Sequence, residues 1–310
     1  MYRIGVDLGG TNVAVGIINE EYQLIATAST PTRTELGAEG IVGDMEMCIN
    51  NLLTMGGIRR EDCAGIGIGS PGSCDMKNGI VRQAFNLGWK DVHVCEMLQA
   101  KSGLPVRLAN DADCAALGEV VAGAAKGSSS ALMVTLGTGV GGGYVMNGNI
   151  CSGYKSLGGE FGHTKIMLDG EPCTCGQKGC WEAYASATAL IRQANRAAEA
   201  HPESGLAKVK EMNGKAVFDV LATGDAVAME VVNCYAAYVG IGLVNFINSL
   251  YPEVILLGGG VAGAGEALLA PVREYVAANF FVGNRAVMPP IRKAELGNDA
   301  GIIGAAALWE

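Results

Sequence analysis

Near the N-terminus the apolar positions fall in two β-branched blocks, 4–7 and 13–18, separated by Leu8-Gly9-Gly10-Thr11-Asn12. Two strand-like segments joined by so short a loop predict a β-hairpin. From Glu39 to Leu53 the period changes, with Ile41, Met45, Cys48 and Leu52 recurring at helical spacing. Met47 and Met55 are assigned to the core together with Met45. A strand is expected over 64–70, ending at Pro71-Gly72, and another over 106–109. The second leads into Asn110-Asp111-Ala112-Asp113 and a helix running to about Ala125.

Lys126-Gly-Ser-Ser-Ser is a polar break, and a domain boundary is expected near it. Beyond it the opening pattern returns: apolar residues from Leu132, the turn Gly137-Thr138-Gly139, then apolar residues again. Two such hairpins at the heads of two half-chains predict a duplicated α/β fold in two domains. Helices are expected over 183–200 and 225–248, the latter with Val227, Val231, Tyr235 and Val239 on one face and Pro252 ending it. A buried strand over 254–257 leads into Gly258-Gly259-Gly260, and Asp299 is read as the cap of a last helix, 300–309.

Composition narrows the function. The 310 residues are 49% hydrophobic and 17% charged, enough for a large core and, by length, for two domains. The 46 glycines and few aromatics imply close backbone approaches, as in a nucleotide-binding α/β protein. A net charge of −9 with no Lys/Arg cluster argues against nucleic acid as a partner. An anionic ligand would then depend on local donors. No leader pattern precedes the first strand. The most apolar stretch, 237–250, is too short to span a bilayer, so no membrane is expected. Seven of the ten cysteines (Cys48, Cys63, Cys74, Cys95, Cys114, Cys151, Cys234) stand singly and are read as buried free thiols of a reducing cytoplasm. His93 and His201 are read as surface or capping residues.

Four groups of residues carry candidate chemistry. His163 with Cys173, Cys175 and Cys180 forms a ligand set for one tetrahedral Zn²⁺, with no position left open for water. Glu160, Glu182 and the second ring nitrogen of His163 would grip adjacent sugar hydroxyls, or the glutamates are merely solvated beside a structural knuckle. Asp7, Gly9, Gly10, Thr11 and Asn12 suit phosphates and a Mg²⁺ held by Asp7, or a plain hairpin turn. Gly137, Thr138 and Gly139 would grip the same phosphates, with Gly258, Gly259 and Gly260 under the nucleoside. Asn110 and Asp111 end a strand where α/β clefts collect ligands. They serve there as an orienting amide and a general base, or as helix caps.

Taken together, Asp-Leu-Gly-Gly-Thr-Asn at 7–12, Asn-Asp-Ala at 110–112, Leu-Gly-Thr-Gly at 136–139, Gly-Glu-Phe-Gly-His at 159–163 and Cys-x-Cys-Gly-x-x-Gly-Cys-x-Glu at 173–182 resemble the ROK family of bacterial sugar kinases and repressors. The resemblance covers essentially the whole chain and looks nearest to the family's glucokinases, helped by Asn86-Leu-Gly-Trp89. It implies an actin-like ATPase (ribonuclease H-like) fold with two domains around a cleft. These would be a small domain of 1–122 with 299–310 returning to it, and a large one, 123–298, bearing the zinc and the sugar loop. It implies ATP, Mg²⁺ and structural Zn²⁺ as cofactors. Asp111 is the implied base for the primary hydroxyl of glucose, Asn110, Glu160, His163 and Glu182 the sugar ligands, and Gly72 part of the pocket wall. Asp113, where the family often has Asn, would add a charge that raises the pKa of Asp111. Kinases of N-acetylmannosamine, N-acetylglucosamine, fructose or allose share the same grip. A sugar-sensing repressor is disfavoured, because the first strand leaves no room for a DNA-binding segment. A homodimer or homotetramer is the implied assembly.

Overall fold

The first hairpin forms as its pattern predicts. In the computed structural model, which describes residues 1–309, β1 (Tyr2–Leu8) pairs antiparallel with β2 (Asn12–Ile18), Leu8 standing opposite Val13. β3 (Leu24–Pro31) extends this meander, its alternate burial fitting an edge strand with one wet face. α1 (Gly37–Gly56) buries Ile41, Met45, Cys48 and Leu52. Met47 and Met55, expected in the core, are instead 49% and 85% exposed. Two positions along a helix is more than half a turn, so Met47 points away from the face that Met45 buries.

β4 (Cys63–Ser70) runs parallel to β1. A small antiparallel sheet follows, with strands β5 (Ser73–Asp75), β6 (Ile80–Ala84) and β7 (Trp89–Val92), none of which the periodicity indicates. After α2 (Val94–Ser102), β8 (Val106–Asn110) adds in parallel beside β4, completing the order β3-β2-β1-β4-β8. α3 (Asp111–Ala122) starts where β8 ends. The pattern then repeats: β9 (Ser130–Leu136) and β10 (Val140–Met146) flank the second turn, with the short β11 (Asn149–Ile150) beside β10.

The expected helix 183–200 is two, α4 (Glu182–Ala185) and α5 (Ala187–Ala200). Ser186 is extended between them, and its hydroxyl accepts from Ala189 N–H to start α5. Next come α6 (Gly214–Leu221), α7 (Ala226–Leu250), β12 (Val254–Gly258), the single turn α8 (Gly259–Ala262), α9 (Glu266–Asn279), β13 (Ile291–Lys293) and α10 (Asp299–Ala307). Asp299 is the first residue of α10 rather than its cap, a position taken by Asn298 without a side-chain bond. The second sheet has the order β11-β10-β9-β12-β13, placing its hairpin as the first sheet does.

The chain divides into two units. Unit 1 is Met1–Leu132, Gly143–Gly159 and the residues from Glu295 on, and unit 2 is Met133–Gly142 with Glu160–Ala294. In unit 1, α10 lies directly on the sheet. A Cβ on Gly5 of β1 would meet Ile302 O at 1.9 Å, and one on Gly67 of β4 would meet Ala305 O at 1.7 Å. Only glycine permits that approach. In unit 2, α7 is the central helix and buries Val231, Tyr235, Val239, Leu243 and Ile247. By length and composition α7 can cross a bilayer, more than the stretch 237–250 alone allows. Half of its apolar window is buried, and it packs on α4, α5, α6 and α9, the place of a core helix. Among the single cysteines, Cys48, Cys63, Cys74, Cys95 and Cys114 are buried thiols. Cys151 is half-buried and Cys234, on the outward face of α7, is exposed, which corrects the expectation for these two.

Candidate functional site

In both hairpin turns most of the carbonyls are already occupied. In unit 1, Gly9 N–H donates to Asn12 O at 2.8 Å and Thr32 N–H donates to Thr11 O at 3.0 Å. The Thr32 hydroxyl donates to Gly9 O at 2.7 Å. In unit 2, Gly137 N–H donates to Gly139 O (3.0 Å) and Ala187 N–H to Gly137 O (2.7 Å). There the Thr188 hydroxyl donates to Thr138 O at 2.9 Å. Left over are the N–H groups of Gly10 and Thr11 and of Thr138 and Gly139, which donate to nothing among the described residues. Successive free N–H groups with their carbonyls turned away make a concavity that attracts anions. Thr32 and Thr188 lie outside the sequence motifs, and a lone threonine past a strand end or in a helix start gives no distinctive signal.

Gly258, Gly259 and Gly260 join β12 to α8. Gly259 has φ +80°, and a Cβ there would fall 2.6–2.7 Å from the Leu136 backbone. The structure therefore brings this glycine run against the residue that precedes Gly137.

Asp7 lies in β1, and its carboxylate meets the first turn of α10, where a Cβ on Gly301 would sit 2.7 Å from it. Burial pushes the Asp7 carboxyl up, and the charge of Asp111 pushes it further, to about 6. Asn110 does cap α3: its Oδ1 accepts from the N–H groups of Ala112 (2.9 Å) and Asp113 (3.4 Å). Its Nδ2 donates to Gly72 O at 3.1 Å, so one amide fixes both the start of α3 and the 71–72 turn. Gly72 has φ +85°, with Gln83 O only 2.1 Å from where a Cβ would be, so no other residue fits there. Asp111 opens α3 half-buried, one oxygen accepting from Ala112 N–H at 2.9 Å. Asp113, two residues further along α3, is only 4% exposed.

In unit 2 the ligand atoms of His163, Cys173, Cys175 and Cys180 all lie within 4.8 Å of one another. His163 Nδ1 is 3.7 Å from Cys173 Sγ, and Cys175 Sγ is 3.6 Å from Cys180 Sγ. A tetrahedron with metal–sulfur bonds of about 2.3 Å has edges of roughly 3.7 Å, so the donor set fits a zinc ion. Lys165 Nζ donates to Cys180 Sγ at 3.2 Å. Burial pushes the Cys173 thiol up to about 12, so a cation is needed to draw off its proton. Because His163 faces the cluster through Nδ1, its Nε2 is the nitrogen left for a ligand.

Glu160 stands just before the 161–163 turn, its carboxylate without a hydrogen bond among the described residues. Glu182 is engaged on both sides. Its Oε2 accepts from Val140 N–H at 3.0 Å, and its Oε1 accepts from the Thr174 hydroxyl at 2.8 Å and faces Cys173 Sγ at 3.5 Å. An ionised carboxylate has about four acceptor sites, so it retains capacity for a further donor.

The model of the ROK family matches residues 3–310. The glucokinase of Halalkalibacterium halodurans is 38% identical over 308 residues, covering 98% of this chain and 93% of that protein. A ROK hexokinase structure from Thermus thermophilus superposes with a TM-score of 0.82 at 36% identity, covering 99% of this chain and 97% of that one. A ROK family glucokinase from Streptomyces griseus, solved in complex with glucose and AMPPNP, gives 0.81 at 34% identity, with 99% of each chain covered.

Proposed function

The chain belongs to the ROK family and has its actin-like ATPase fold, and we propose that it is an ATP-dependent glucokinase forming glucose 6-phosphate. The observation that carries this reading is the full-length similarity to glucokinases, one of them 38% identical over 98% of the chain. The relatives support a hexose kinase, and the chemistry of the sites supports the individual roles.

Phosphoryl transfer needs positioning and charge neutralisation more than covalent help. Asp111 takes the proton of the 6-hydroxyl as its oxygen bonds to the γ-phosphorus and the bond to the β,γ-bridging oxygen breaks, releasing ADP. Asn110, held by its cap bonds, orients that hydroxyl beside Gly72. Glu160 and Glu182 accept from the sugar hydroxyls, and His163 Nε2 donates to one. The N–H groups of the two turns, free of backbone partners, would hold phosphate oxygens, Asp7 would hold the Mg²⁺ that accompanies ATP, and the Gly258–Gly260 run would support the nucleoside. His163, Cys173, Cys175 and Cys180 would hold a zinc ion, and with all four ligands supplied by the chain it would contribute rigidity rather than chemistry. We further assign the enzyme to the cytoplasm as a homodimer or homotetramer without nucleic-acid or membrane partners.

The test is a coupled ADP-release assay with Mg·ATP and a panel of glucose, fructose, allose, N-acetylglucosamine and N-acetylmannosamine. Turnover on glucose well above the rest is expected. Preference for an N-acetylhexosamine would replace the substrate and keep the base and zinc. Sugar binding without turnover on any of them would make the chain a sensor.

A further inference from the structure

We propose that metal occupancy of the Cys/His cluster and nucleotide binding at the 137–140 turn are energetically coupled, with Glu182 and Thr174 as the positioning residues that couple them. The inference rests on the reading of that turn as a phosphate site.

One carboxylate joins the two features. Thr174 lies between two cluster residues, Cys173 and Cys175, and its hydroxyl donates to Glu182 Oε1 at 2.8 Å. Glu182 itself stands two residues after Cys180. Its other oxygen receives the Val140 N–H at 3.0 Å. The fit is tight: a Cβ on Gly139 would lie 2.4 Å from Glu182 Oε2, so the carboxylate is packed against the turn as well as bonded to it. Thr174 is exposed, and its loop is otherwise tied by a few backbone bonds, among them Cys173 N–H to Gln177 O (2.8 Å) and Gly176 N–H to Cys173 O (3.0 Å). When the metal leaves, that loop loosens, Glu182 loses the partner that holds Oε1, and the acceptor for Val140 N–H is no longer fixed. The braces from Ala187 and Thr188 remain, because neither involves the cluster. The coupling is therefore partial. By linkage the effect is reciprocal: bound nucleotide must tighten the metal by the same factor.

The experiment uses the full chain under reducing conditions with Mg·ADP as the probe. Affinity is measured calorimetrically in zinc-loaded and chelator-stripped protein, and the rate of zinc loss to a chelator is measured with and without saturating Mg·ADP. Stripping is expected to weaken Mg·ADP about five- to tenfold, and Mg·ADP to slow zinc loss. Thr174→Val should weaken Mg·ADP by a similar factor while still holding one zinc per chain, and stripping it should add less than about a further twofold. Thr188→Val should weaken Mg·ADP in both states and leave the loaded-to-stripped ratio as in the wild type. Equal Mg·ADP affinity with and without zinc, with zinc loss indifferent to Mg·ADP, overturns the coupling and leaves the kinase reading intact. A Thr174→Val protein that keeps the full wild-type difference overturns the route through Thr174. Absence of any Mg·ADP binding by the loaded chain overturns the nucleotide reading and this inference with it. The zinc-loss measurement uses only loaded, folded protein, so it tests the coupling even if the stripped form collapses.

Discussion

Asp111 is near enough to Asp7 to oppose its ionisation: burial raises the Asp7 carboxyl from 3.8, and the neighbouring charge helps carry it to about 6. Between those values the folded protein keeps a proton that the unfolded chain has lost. This group's contribution to stability is therefore complete below about 3.8 and is lost as pH rises through about 6. Ligand binding runs in the opposite sense, because a carboxylate, not a carboxylic acid, holds Mg²⁺. Mg·ADP affinity should fall as pH drops below about 6, and Asp111→Asn should move that midpoint lower by removing the like charge. Calorimetric titrations of both proteins across this range provide the check. Coincident pH profiles would show that the two carboxylates do not communicate.

The same substitution tests the base. Asn at 111 keeps the size of the side chain and its place at the start of α3 but takes no proton. We expect kcat to fall by roughly a hundred- to ten-thousand-fold, the usual worth of a positioned base. Glucose and Mg·ADP dissociation constants should stay within severalfold of the wild type. Near-normal kcat would remove Asp111 from the reaction.

Much of this arrangement was legible because its signals are local. The paired hairpins show in β-branched blocks around Gly/Thr turns, and the ligand set shows in the Cys-x-Cys-x4-Cys spacing. The sheet β5-β6-β7 was not legible, since strands of three to five residues carry too few alternations to count. The break at Ser186 was hidden because alanines on both sides read as one helix, while the serine's capping role appears only when its bond to Ala189 is seen. Asn110 shows a different limit. Cap and ligand are written with the same side chain, and the structure adds that capping fixes the amide against Gly72. The bridge from Thr174 through Glu182 to Val140 joins residues far apart in sequence, so no spacing announces it.

Removing one cluster ligand tests the role assigned to the metal. Cys180 is fully buried, and serine in its place supplies a poor zinc ligand. Cys180→Ser should lower zinc content from one per chain toward none, and loosening of His163 beside it should raise the glucose KM about ten- to a hundredfold. Metal analysis and steady-state kinetics together decide the matter. Unchanged glucose KM in zinc-free protein would leave the metal without a part in sugar binding.

The last prediction concerns a carboxylate outside every motif. Glu119 is fully buried in unit 1, and its two oxygens accept three backbone hydrogen bonds. Oε2 receives Ala124 N–H at 2.8 Å, and Oε1 receives the N–H groups of Glu295 (2.9 Å) and Leu296 (2.8 Å). It thereby ties the end of α3, whose first residue is Asp111, to the segment that enters α10, whose Gly301 touches Asp7. Glu119→Ala strands three N–H groups, each costing about 1–3 kcal/mol if it stays dry. Water reaching the vacated space will offset part of that, so a net loss of about 4 kcal/mol in unfolding free energy is expected. Glu119→Gln keeps one oxygen acceptor but turns an amide N–H₂ toward a backbone donor, and should cost less than alanine and more than nothing. Urea unfolding monitored by circular dichroism gives both numbers. If alanine costs under about 1 kcal/mol, the three bonds are incidental, and the alignment of Asp111 with Asp7 must rest on the glycine-mediated packing of α10 alone.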